Sequence, residues 1–138
     1  MNEIKWLLNE IEEQIKKIKN DSSWNWISEF AYLLIQLSTE LWEAKKEFIR
    51  LKTQYDISFE TKVSDIMSKQ EKLNKTAAET QATIELKELK IDRSEAEQSV
   101  IYLEIILRSY YEFLNAIKFE LREVIKSNSI TNKYNEWY

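Results

Sequence analysis

Between Ala82 and Val124 the chain reads ATIELKELKIDRSEAEQSVIYLEIILRSYYEFLNAIKFELREV. Within it Ala82, Leu86, Leu89, Arg93, Ala96, Val100, Leu103, Leu107, Tyr110, Leu114, Ile117, Leu121 and Val124 follow one another at alternating steps of four and three. That mean period of about 3.5 residues keeps one apolar stripe on one side of a helix and favours left-handed supercoiling. The spacing predicts a long helix over about 77–127, roughly 75 Å long at about 1.5 Å per residue. A stripe that long needs a partner, because a helix cannot bury its own face.

The partner is found upstream. Ile27, Phe30, Leu34, Leu37, Leu41, Ala44, Phe48, Leu51 and Tyr55 carry the same spacing and predict a second helix over about 24–57. A shorter first helix is expected over about 2–19, with Ile4, Leu8, Ile11, Ile15 and Ile18 on its inner face, and Asn20, Asp21, Ser22 and Ser23 form the turn between the two. Residues 58–76 read as a connection, in which Val63, Ile66 and Leu73 allow a short helix and Ser68 to Glu71 and Thr76 to Glu79 fit capping boxes. The tail, 128–138, has no helical period and is expected to be loose. The fold class is therefore all-α: one domain built as a long antiparallel, coiled-coil-like helical hairpin with a shorter N-terminal helix, assembling as an oligomer.

Composition points the same way. The 138 residues include no Gly, Pro, Cys or His. Sharp reversals usually recruit Gly or Pro, so long helices with few connections fit best. Without Cys or His the chain lacks the commonest nucleophile, general base and transition-metal ligands, and no glycine-rich phosphate loop can form. We expect no enzyme activity, no metal and no cofactor. No segment has the continuous apolar run of a membrane span, and a cytoplasmic location is the default expectation.

Two surface features suggest binding. Ile35, Trp42 and Ile49 recur every seven residues outside the seam of the second helix, and Ile106 and Phe113 do so on the long third helix. Either the first helix covers these stripes or other subunits do. Lys45, Lys46, Arg50 and Lys52 surround Trp42 and Phe48, while Lys118, Arg122 and Lys126 recur at steps of four. Cations mixed with aromatics suit a phosphate backbone and stacked bases, but interleaved Glu43, Glu47, Glu120 and Glu123 equally allow a salt-bridged surface. The net charge of -4 disfavours a general nucleic-acid coat. Arg93, the one charged residue in the long seam, reads either as a register device or as an Arg that snorkels outward or pairs with an acid.

The run Leu114-Asn-Ala-Ile-Lys118, preceded by Tyr110 and Tyr111 at the end of the seam, resembles the closing helix of the UvsY-like phage recombination mediators. Asn74-Lys-Thr76, ahead of a Lys-rich acidic stretch to Asp92, is placed as in that family. The resemblance covers the second half of the chain. It implies a ring-forming helical protein that binds single-stranded DNA, through cations such as Lys118, Arg122 and Lys126, and helps load a RecA-like recombinase. The alternative expectation is a helical adaptor, or a phage-encoded inhibitor of a host protein, that binds no nucleic acid.

Overall fold

The computed structural model describes residues 2–21, 23–70 and 73–136, with side chains described for 3–21, 23–70 and 73–128. Among these the chain is all-α, with four helices and no strand: α1 (Asn2–Asn20), α2 (Trp24–Lys69), α3 (Lys75–Glu85) and α4 (Lys87–Glu136). It divides into two compact units, Met1–Glu40 with Glu104–Tyr138, and Leu41–Leu103.

In the first unit α1 and α2 run antiparallel. Gln14 lies beside Glu29, and the Lys17 ammonium sits 5.0 Å from the centre of the Trp26 ring. The reversal between them falls where the Asn-Asp-Ser-Ser run predicts it. The Trp26 N–H donates to Ser23 Oγ at 3.4 Å, so Ser23 takes one of the orphan donors at the start of α2. α4 closes the bundle: Tyr110 and Phe113 present their edges to Phe30, with ring centres 6.2 and 5.6 Å away. The Tyr110 hydroxyl donates to Glu12 on α1 at 2.8 Å, which ties the third helix to the first.

Phe30, Ile11, Ile18, Ile27, Leu34 and Leu37 are the largest fully enclosed side chains. The buried face of α1 is Leu7, Ile11, Gln14 and Ile18, whereas Ile4, Leu8 and Ile15 of the expected seam are only half-buried. The face is rotated because α1 meets two helices, α2 and α4, and so buries a broader stripe than a single seam. Gln14 is the polar member of that face: its amide nitrogen donates to Glu29 at 3.4 Å, and its amide oxygen, buried, has no partner among the described residues.

In the second unit α2 does not stop near residue 57 but runs to Lys69. The polar residues that suggest a connection there lie on its outer side. Phe59, Val63 and Ile66 face inward and pack with Leu73, Ala78 and Ala82. Neither expected capping box forms a helix start. The Ser68 hydroxyl donates back to the Asp65 carbonyl inside α2, a bond that lets serine remain within a helix. α3 is capped instead by Asn74, whose side-chain oxygen accepts from the Ala77 N–H at 2.8 Å.

The long third helix of the sequence reading is two helices. α3 ends at Glu85; its capping residue Leu86, with φ of -99° and ψ of 20°, interrupts the helical path, and α4 starts at Lys87. The interruption is slight, since Leu86 N–H still reaches the Ala82 carbonyl and Lys90 N–H the Leu86 carbonyl. The tail is also corrected: α4 continues through residues 128–136, so no break follows residue 127, while Trp137 and Tyr138 lie outside the described residues.

Leu34→Ala should lower unfolding free energy by about 2–5 kcal/mol in urea titrations, because it leaves a cavity in the core. Gln14→Leu should act in the opposite direction and raise stability by about 1 kcal/mol, since it removes an unsatisfied buried acceptor while exposed Glu29 regains water. A Gln14→Leu chain less stable than the wild type would show that the amide contributes more than its geometry indicates.

Candidate interaction surfaces

The apolar residues placed outside the seam by the sequence separate into two groups. Ile35, Trp42 and Ile49 are 59, 60 and 61% exposed. Phe113 and Ile106, by contrast, are half-buried, and Phe113 packs edge-on against Phe30. These two serve the bundle rather than an outside partner, because α4 in the first unit contacts both α1 and α2 and its covered face is wider than an a/d stripe.

Other aromatics that the seam pattern does not single out are exposed too, among them Trp6, Tyr32, Tyr102 and Phe119. Trp6 is 58% exposed and Phe119 64%. Trp6 lies along a groove of about 410 Å³ whose other walls are Glu3, Leu7, Gln36, Thr39 and Glu40. The only sequence signal for it is that Trp6 precedes Leu7, on the edge of the true buried face of α1. A second groove, about 540 Å³, runs between α2 and α3 beside Phe59, Val63, Met67, Lys75 and Glu79.

Three of the seven candidate cations, Lys46, Arg50 and Lys126, contact neighbouring carboxylates. Arg50 makes a forked contact with Glu47, at 2.9 Å from Nε and 2.6 Å from Nη2, and also donates to Gln54 at 3.3 Å. Its hydrogen bonds hold the Glu47 carboxyl below, and the Arg50 guanidinium above, their ordinary pKa values. Lys46 approaches Glu43 at 3.4 Å, and Lys126 approaches Glu123 at 3.8 Å. Each pair is spaced by three residues on an exposed helix face, an arrangement that contributes little to stability but neutralises the local field. Lys45 and Lys118 are half-buried, and Lys52 and Arg122 are exposed.

Trp42 is the point where cation and aromatic meet, with the Lys46 ammonium 5.8 Å from the ring centre. Arg93 does the same inside the second unit. Its guanidinium lies 4.7 Å from the centre of the buried Tyr55 ring, which in turn stacks on Phe59 at 5.9 Å. It neither extends away from the seam nor needs an acid there, because the ring face supplies the attraction.

Among the described residues no group of three or more Asp, Glu, His or Cys gathers as a metal site, and no helix is long and apolar enough to cross a membrane. The chain matches no protein-family model, no curated protein and no solved structure.

An ion pair joins α2 to α3. Lys62 on α2 reaches Glu85 at the end of α3 at 2.9 Å, and the hydrogen bond from Lys62 holds the Glu85 carboxyl below its ordinary value. A carboxyl with a depressed folded-state pKa adds stability above its unfolded value, and that contribution is lost as pH falls through the folded value. Glu85→Gln should therefore lower the thermal midpoint slightly at neutral pH, and the difference from wild type should shrink as the solution is acidified through the carboxylate range. A difference independent of pH would assign the effect to packing.

Proposed function

We propose that the protein is a non-catalytic docking protein that captures a partner protein on the Trp42–Ile49 face of α2. The observation that carries this reading is the exposure of Trp42 and Ile49, 60 and 61%, one heptad apart on the same side of a helix. Burial of such residues provides the apolar centre of a protein interface, and Trp is enriched among the residues that dominate binding energy. The paired charges beside it, Lys46 with Glu43 and Arg50 with Glu47, form a polar rim around that apolar centre. A cytoplasmic target, such as a host factor engaged by a phage product, is consistent with this chemistry.

A second reading is supported by the Lys46 ammonium beside the exposed Trp42 ring. A stacking platform with a nearby cation also suits single-stranded DNA. On that reading the chain is a UvsY-like mediator that oligomerises and assists recombinase loading, with Lys45, Lys46, Arg50 and Lys52 in one unit and Lys118, Arg122 and Lys126 in the other contacting the backbone. The carboxylates paired with Lys46, Arg50 and Lys126 weaken the field such a track requires, which is why protein docking is preferred.

Trp42→Ala should reduce capture of the partner protein by about 30-fold, the equivalent of roughly 2 kcal/mol for a central Trp, and nuclease treatment should leave capture unchanged. Fluorescence anisotropy with a labelled oligonucleotide at low and moderate salt decides between the readings. A steep salt dependence at micromolar protein, abolished by Trp42→Ala, would replace the first with the second.

A further inference from the structure

The antiparallel register of α1 and α2 decides what faces what across the groove beside Trp6. Gln14 lies beside Glu29 and Lys17 beside Trp26, so each step back along α1 meets one step forward along α2. Eleven residues back from Gln14 is Glu3, and eleven residues on from Glu29 is Glu40. Both line the groove, and the register sets them at the same level on its two walls. Carboxylates that face each other from different helices repel, and a cation placed between them turns that repulsion into attraction.

The walls of the groove supply no such cation. They are Glu3, Trp6, Leu7, Gln36, Thr39 and Glu40. Residues 24–43 of α2 hold no Lys or Arg, and Lys5 is two positions from Glu3, about 200° round α1 and so away from the groove. Glu13, Glu43, Glu47, Glu85 and Glu123 each contact a Lys or Arg, whereas Glu3 and Glu40 contact none among the described residues. One turn beyond Glu3 on the same wall stands the exposed Trp6 indole, next to buried Leu7. A small hydrated cation would answer the carboxylates and leave the indole uncovered. A Lys or Arg carries its charge on an apolar stem and is attracted to an indole face, so a basic segment of a protein satisfies both parts of the groove. A nucleic-acid backbone would bring phosphate against two carboxylates.

We infer that the groove between α1 and α2 beside Trp6 is a docking site for a basic segment of another protein, with a Lys or Arg set between Glu3 and Glu40 and a neighbouring apolar side chain covering Trp6 and Leu7. The groove shares no residue with the Trp42–Ile49 face and does not depend on what occupies that face. The two surfaces also select differently. Charges at the edge of the Trp42 face are paired within the helix, while the groove presents carboxylates that reject an acidic partner and accept a basic one.

Selection from a random peptide library displayed on phage, against the full chain and with the Trp6→Ala chain as counter-selection, tests this. Enriched sequences should carry Lys or Arg next to an apolar or aromatic residue. The most enriched peptide, labelled and titrated by fluorescence anisotropy, should bind the wild type saturably and lose about tenfold in affinity with Trp6→Ala, and a similar factor with Glu3→Gln plus Glu40→Gln. Glu95→Gln with Glu97→Gln makes the same change in net charge at exposed positions of α4 and should leave the affinity unchanged, as should Trp42→Ala. Helicity of each variant is checked by circular dichroism, and the Glu3 and Glu40 variant replaces Trp6→Ala in both steps if that chain unfolds. No enrichment over the counter-selection, enriched sequences without Lys or Arg, or an affinity lowered equally by the Glu95 and Glu97 changes or by Trp42→Ala would overturn the inference. So would wild-type dimers in light scattering that Trp6→Ala disperses, since a second copy would then fill the groove.

Discussion

Phe30 is the residue on which the first unit depends. It is wholly enclosed, and two α4 aromatics meet it edge-on, the arrangement in which the positive rim of one ring faces the negative face of another. One of those rings, Tyr110, carries a hydroxyl that reaches Glu12. A single apolar contact between α2 and α4 thereby fixes a polar contact between α4 and α1. Without it, α1 would be held chiefly by Leu7, Ile11 and Ile18, whose apolar burial specifies position less sharply than a directed hydrogen bond.

The periodic parts of this fold are legible in the sequence, and the departures from periodicity are where contacts come from more than one direction. Ile27, Phe30, Leu34 and Leu37 occupy seam positions and are buried. On α1 the count of one seam selects Ile4, Leu8 and Ile15, but a helix facing two neighbours turns Leu7 and Gln14 inward. The same cause covers Phe113 and Ile106. The extension of α2 past residue 57 is hard to read because its serines and threonines resemble a connection, although Ser68 satisfies its hydroxyl on the Asp65 carbonyl within the helix. Of the candidate surface, Ile35, Trp42 and Ile49 were readable as an exposed stripe. The Trp6 groove was not, because its walls come from two stretches, residues 3–7 and 36–40, that lie far apart in the sequence.

Charge in this chain works at short range. Lys16, Lys46, Arg50 and Lys126 each contact a Glu three positions earlier, so positive and negative charge alternate on the same helical surface. Such pairs are screened within about 8–10 Å at ordinary salt and steer partners weakly from a distance. What remains for recognition is contact chemistry, in which an apolar centre supplies affinity and a charged edge rejects wrong neighbours. Arg93 over Tyr55 applies the same economy inside the fold, where a cation is held by a ring face in a seam otherwise lined with apolar groups.

The backbone of the described residues contains no positive φ and no cis peptide bond. Every one of these positions therefore accepts, as far as main-chain geometry goes, any L-residue other than proline. Sequence is constrained only by what side chains touch, and the number of turns in each helix is not anchored by any obligatory glycine corner. Such a molecule can drift in both composition and length: a matched insertion of seven residues in α2 and α4 lengthens the pair while returning each later side chain to nearly the same face.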